Sequence, residues 1–221
     1  PEPTLRFLHA LGVDELAGYA QLLAGQPGPD GLRALFTTFI TLPQAVLDSL
    51  VPALQEGAVR LAAAPDTSFR DEARTVLELS ERYPGDAGVL AALLLNRVTL
   101  APGEALYLPA GNLHAYLSGA GVELMANSDN VLRGGLTPKH VDVPELLRVL
   151  DFTAPPPPVR RGDAHRDWVR YDTPAQEFLL RRWEVGEPAK TPLPGDGARI
   201  MLCTAGSVVA TSPSGSVQLD R

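Results

Sequence analysis

The apolar rhythm of this chain changes once, near Tyr83-Pro84-Gly85-Asp86, and that switch limits the folds open to it more than any single motif. Before it, apolar residues recur at helical spacing. Leu16, Tyr19, Ala20 and Leu23 share one face, and Leu32, Leu35, Phe36, Phe39 and Ile40 repeat the pattern beyond the Gly25-Gln26-Pro27-Gly28-Pro29 turn. Asp30 reads as a helix cap, Thr41 with Gln44 and Ser68 with Asp71 as capping pairs, and Pro52 as a kink or restart. Phe69, Ala73, Val76, Leu77 and Ser80 mark the buried side of a further helix, with Glu78 and Arg82 at i,i+4 on its wet face. After the switch, apolar and β-branched runs alternate with Pro and Gly, which predicts strands at about 92–100, 104–108, 113–118 and 121–126. Short strands separated by such turns favour a sandwich or small barrel over βαβ units.

A run of four prolines, Pro155 to Pro158, has no amide donors for a ladder and reads as an extended linker. Beyond it, 178–185, 200–209 and 217–219 are expected as strands, the last after a Pro213-Ser214-Gly215 turn. Trp168 and Trp183 read as docking residues of this second β unit, and Cys203 as a small buried apolar residue. Nineteen Lys and Arg against 26 Asp and Glu leave a net charge of −7, which disfavours a nucleic-acid wrapper or a binder of anionic membranes. No apolar run approaches the roughly 18 residues of a membrane span. The single cysteine cannot form an internal disulfide, so a reducing, cytoplasmic setting is the expectation.

Chemistry concentrates in PGEALYLPAGNLHAYLSG, residues 102–119. Gly103, Pro109, Gly111 and His114 form a turn-strand-turn-strand device whose tight corners deliver the imidazole at a rigid strand start. Alternation along 121–126 places Val122 and Leu124 on one side and Glu123 on the other, so Glu123 can share a cavity with His114. Arg133, followed by Gly134-Gly135, sits on a flexible corner where a guanidinium could form two parallel bonds to carboxylate or phosphate. On spacing alone these residues are equally those of an ordinary β corner, a surface carboxylate and a surface ion pair.

The spacing from Gly103 to His114 resembles the second motif of cupin barrels, with Ser118 where that motif usually has asparagine. The stretch GNLHAYLSGAGVELMANSDNVLRGGLTPKHVDVPELL, 111–147, is similar to the signature of type I phosphomannose isomerases. Those are zinc-dependent enzymes that interconvert mannose 6-phosphate and fructose 6-phosphate. The resemblance implies a mixed α+β fold: an N-terminal helical region (1–86), the return strands of a cupin-like β-barrel (87–152), a Pro-rich linker (153–165) and an incomplete C-terminal β unit (166–221). It implies that His114 binds the metal, with Leu113 where the family has proline, and that Arg133 assists catalysis. Glu123 and Asp129 become candidates for proton transfer or pocket orientation, and Asn130 and Lys139 for substrate binding.

Family members resembling this chain take further ligands from an upstream Gln-x-His element and a glutamate, and no Gln-x-His triplet occurs before the helical region here. The expectation is therefore an internal piece of a longer isomerase that binds zinc weakly and turns over little by itself. The implied partner is a hexose 6-phosphate, with no nucleic acid and no membrane, and a monomer is favoured over an oligomer. A sugar-binding or regulatory cupin without catalysis, and an assembly module built on Leu32, Phe36 and Phe39, are the alternatives.

Overall fold

A computed structural model describes residues 1–128, 131–153, 158–186, 190–193, 195 and 197–221. They fall into two compact units, Pro1–Arg182 and Trp183–Arg221. The first opens with helices α1 (Glu2–Leu11), α2 (Ala17–Gly25), α3 (Pro29–Ile40), α4 (Gln44–Ala63) and α5 (Arg70–Arg82), as the period predicts. Their apolar stripes meet in one core that includes Leu11, Leu16, Leu23, Leu35, Phe39, Leu54 and Val76. Ser80, expected on the buried side of α5, is 1% exposed, and Arg82 pairs with Glu78 at 2.8 Å on the wet side.

The capping expectations are corrected. Helix α3 starts at Pro29 with Gly28 as N-cap, so Asp30 lies in the first turn, where its charge still favours the helix dipole. Thr41 donates its hydroxyl to the Thr37 carbonyl at 2.7 Å and so closes α3 instead of opening α4. Helix α5 begins after Phe69 without a side-chain cap, so Ser68 and Asp71 form no capping pair. Pro52 does not restart its helix either, for α4 runs through it. A mid-helix proline costs about 3 kcal/mol. Burying Leu47, Leu50, Val51, Leu54 and Leu61, at roughly 1.5–3 kcal/mol each, outweighs that.

The strands expected at 92–100, 113–118 and 121–126 are also corrected. Helix α6 (Gly88–Ala92) takes up the start of the first, because Val89, Leu90, Ala91 and Leu93 are all buried and only a helix turns an all-round apolar run into the space between α3 and α5. Among the described residues, 113–127 make no backbone-to-backbone hydrogen bond. A strand exists only as one side of a ladder, so these segments keep the side-chain alternation without the pairing. Tyr116, Val122, Leu124 and Met125 are exposed accordingly.

Of 104–108 only β1 (Glu104–Ala105) pairs, antiparallel to β2 (Arg160–Arg161). Helix α7 (Val143–Val149) is capped by Asp142, which accepts from Glu145 N at 3.0 Å. Its C-terminus is tied to α3 by Arg33, which donates to Leu147 O at 2.7 Å and lies over the Phe152 ring at 5.0 Å. Phe36, Ala91, Leu146 and Leu150 form a second apolar cluster beneath it. Strands β3 (Asp163–Ala164), β4 (Trp168–Tyr171) and β5 (Leu180–Trp183) make a sheet in that order. There His165 stacks on Trp168 at 3.8 Å, with Arg181 over the same ring at 5.1 Å.

In the second unit, β6 (Ser207–Ser212) and β7 (Gly215–Asp220) form a hairpin about the expected turn. Residues 200–202 lie outside it and are exposed, and Cys203 is half-buried instead of buried. The fold is mixed α+β. Among the described residues the sheets are small and none closes into a barrel. Among the described residues no single helix is long and apolar enough to cross a membrane.

The β1–β2 corner titrates. Glu104 accepts from Ala101 N at 2.8 Å and from Arg161 Nε at 3.2 Å, and these bonds, the backbone one first, hold its carboxyl below the ordinary 4.5. A depressed carboxyl stabilises fully above its unfolded value and is lost as pH falls through the folded one. Acidification below 4.5 should therefore release this corner, read as faster hydrogen exchange at the Ala101 amide than at core amides. Unchanged Ala101 protection at pH 3 would reject this.

Candidate active site

The turn at Pro109-Ala110-Gly111 is seated on the end of α7. Asp151 N donates to Gly111 O at 3.0 Å, and a Cβ at Gly111, whose φ is +84°, would stand 2.8 Å from Val149 O. The segment leaving this turn starts from a fixed point. Leu113 packs on the second cluster and Leu117 on the main core, while His114 and Tyr116 between them are exposed.

His114 Nδ1 lies 3.1 Å from the Asn112 carbonyl. In a neutral imidazole that donates from Nδ1 to this carbonyl, Nε2 carries the lone pair. Nε2 is 3.9 Å from Glu123 Oε1, too far for a hydrogen bond. The Tyr116 ring meets the imidazole edge-on at 6.1 Å. Its phenol is held above the ordinary tyrosine range, first by partial loss of hydration and then by hydrogen bonding with the Glu123 carboxylate and its charge. The sequence singles out His114 and Glu123; Tyr116, two positions from His114 on the same side, completes their cluster and was legible only as part of that alternation.

Zinc sites take three or four protein ligands. Among the described residues no group of three His, Cys, Asp or Glu side chains could hold a metal.

The corner after Arg133 is tightly specified. A Cβ on Gly134 would come within 2.7 Å of Leu113, and one on Gly135 within 2.6 Å of Gly88 Cα. Leu136 has φ +54°, alone among the described non-glycine residues in being positive. That conformation costs on the order of 1–2 kcal/mol. Packing of Leu136 against the main core opposes the cost. Asp86, legible in the sequence only as part of a helix stop, accepts from Gly88 N at 2.6 Å, Leu136 N at 3.1 Å and Thr137 N at 3.3 Å.

Arg133 is half-buried and makes no hydrogen bond or ion pair with a described residue. Contact between Leu113 and Gly134 sets His114 and Arg133 on adjacent segments. A cleft of about 160 Å³ opens there, lined among others by Arg82, Tyr83, His114, Tyr116, Gly134 and Gly135; the Arg133 side chain is not in its wall. Lys139 is exposed beyond the corner, its amide donating to Thr137 Oγ1 at 3.2 Å. Asp129 and Asn130 lie outside the described residues.

No family model matches the chain. Mannose-6-phosphate isomerase of Escherichia coli (strain K12) is 38% identical over 200 residues, which are 88% of this chain and 48% of that protein. The Bos taurus enzyme of the same name is 43% identical over 147 residues, 63% of this chain and 34% of that protein. This chain is a homologue of mannose-6-phosphate isomerase. The crystal structure of that enzyme from Salmonella typhimurium in its apo form covers 98% of this homologue at 28% identity and a TM-score of 0.80, with 54% of its own chain matched. The Salmonella enzyme bound to substrate (f6p) and zinc matches equally far, at 27% identity and the same TM-score. The homologue spans about half the length of the Escherichia coli and Salmonella typhimurium proteins and about a third of the Bos taurus one.

Proposed function

We propose that the protein carrying this chain is an aldose–ketose isomerase that interconverts mannose 6-phosphate and fructose 6-phosphate by proton transfer through an enediolate. The observation that carries this reading is the likeness, over 98% of the chain, to an isomerase structure bound to f6p and zinc. Solved variants of the Salmonella enzyme add support: a histidine is replaced by alanine in one, and an arginine nineteen positions further on in another, the separation of His114 and Arg133.

In this reading 87–152 contributes return strands to a cupin-like barrel, flanked by the helical region (1–86), the linker (153–165) and the C-terminal β unit (166–221). His114 presents Nε2 to zinc, with the carbonyl of Asn112 holding its tautomer. The remaining ligands are the Gln-x-His element and glutamate that the family resemblance implies. The chemistry zinc supplies when bound is polarisation of the substrate oxygens. Arg133, without a hydrogen-bond or ion-pair partner among the described residues, offers its guanidinium to the negative charge that develops as the proton moves. Glu123 and Asp129 are the candidates for moving that proton or orienting the pocket, and Lys139 and Asn130 for holding the substrate.

The test uses the complete gene product, with zinc content and turnover measured together. His114→Ala should weaken zinc binding on the order of 100-fold or more, beyond the 10–100-fold typical of losing a ligand's hydrogen-bond partner. Arg133→Ala should lower kcat by roughly 100- to 1000-fold with zinc retained. Sugar phosphate binding without turnover in the unmodified protein would instead identify a non-catalytic binding cupin. The 221-residue chain by itself should bind zinc weakly, and stoichiometric zinc with normal turnover would defeat that expectation.

A further inference from the structure

We infer that Asp86 is a positioning residue for Arg133, an inference that rests on the catalytic reading of Arg133 given above. The carboxylate joins two segments fifty residues apart: one oxygen accepts from Gly88 N and Leu136 N, the other from Thr137 N. Its bonds fall on the two residues that follow Gly134-Gly135. Each of the four residues after Arg133 is thereby fixed: Gly134 against Leu113, Gly135 against Gly88, Leu136 by Asp86 and the core, Thr137 by Asp86. Arg133 has no hydrogen-bond or ion-pair partner among the described residues, and the backbone beside it fixes where its side chain begins. Main-chain amides pinned by one carboxylate leave that backbone little freedom, and preorganisation of a charged group is where small displacements cost rate.

Replacing Asp86 by Ala removes all three acceptor contacts. Replacing it by Asn keeps the shape and one acceptor oxygen while turning a donor toward an amide that needs an acceptor. In the complete protein, Asp86→Ala is expected to lower kcat by about 10- to 100-fold, as ångström-scale misplacement does, with KM and zinc content changed less than about threefold. Asp86→Asn should lower kcat by less, in the same direction. In the Arg133→Ala background both Asp86 substitutions should have almost no further effect on kcat, because the group they position is gone. If Asp86→Ala does not fold by circular dichroism, the Asp86→Asn cycle carries the test.

Asp86 variants with unchanged kcat, in a protein whose turnover does depend on Arg133, would overturn the inference and leave the catalytic reading standing. So would losses that multiply with that of Arg133→Ala, since these mark a structural role independent of the guanidinium. If Arg133→Ala alone leaves kcat unchanged, the catalytic reading fails and this inference with it.

Discussion

Replacing Phe39 by Ala is expected to destabilise the helical region by about 3–5 kcal/mol. Phe39, on α3, is fully buried in the main core, with the Tyr19 ring of α2 5.2 Å away and tilted by 56°. Alanine removes the transfer free energy of a phenyl group and the contacts of its neighbours, and leaves a hole that helices held from several sides cannot close. Against a total stability of roughly 5–15 kcal/mol, the change takes a fifth or more of what holds the unit together. Urea unfolding followed at 222 nm should show the midpoint falling with little change in slope. A loss below about 1 kcal/mol would mean that the side chain is not packed as described.

Gly135→Ala is the second large expected effect, and its cause is different. The added Cβ would lie 2.6 Å from Gly88 Cα and 2.9 Å from Gly88 N, which are backbone atoms at the start of α6. No side chain can swing away to make room. The φ of +108° also belongs to the region that only glycine occupies freely. Overpacking of about 1–3 kcal/mol and backbone strain of about 1–3 kcal/mol add at this position, since relieving one by moving the corner breaks the bonds made by Asp86. The expected loss is therefore roughly 2–6 kcal/mol in urea unfolding. Gly119→Ala is the control, because a Cβ there meets nothing within 4 Å and φ is a comparable +104°. Equal losses at the two positions would show that strain alone accounts for Gly135 and that the Gly88 contact contributes nothing.

The helical region was readable because its signal is local: side chains three and four apart fall on one face whatever lies opposite. Caps were misplaced because Gly28 and Pro43 open helices by backbone conformation alone, with no capping side chain to read. Residues 113–117 keep the period of a strand in Leu113 and Leu117 against His114 and Tyr116, yet form no ladder, because pairing is a property of two segments and periodicity of one. At the site, the sequence singled out His114, Glu123 and Arg133 through the family resemblance, since residue type and spacing alone fitted an ordinary β corner, a surface carboxylate and a surface ion pair as well. It had no means of showing that Nε2 would stand 3.9 Å from Glu123, or that a turn aspartate would reach across fifty residues to Leu136.

Order and type of helices α1 to α5 and the kinship with mannose-6-phosphate isomerases were present in the bare string of residues. Passage of α4 through Pro52, the helix at 88–92, the seating of Gly135 on Gly88 and the threefold grip of Asp86 were settled only when distant segments met. Short-range preferences of about a kilocalorie per residue steer the first set, whereas burial worth several times that per side chain decides the second.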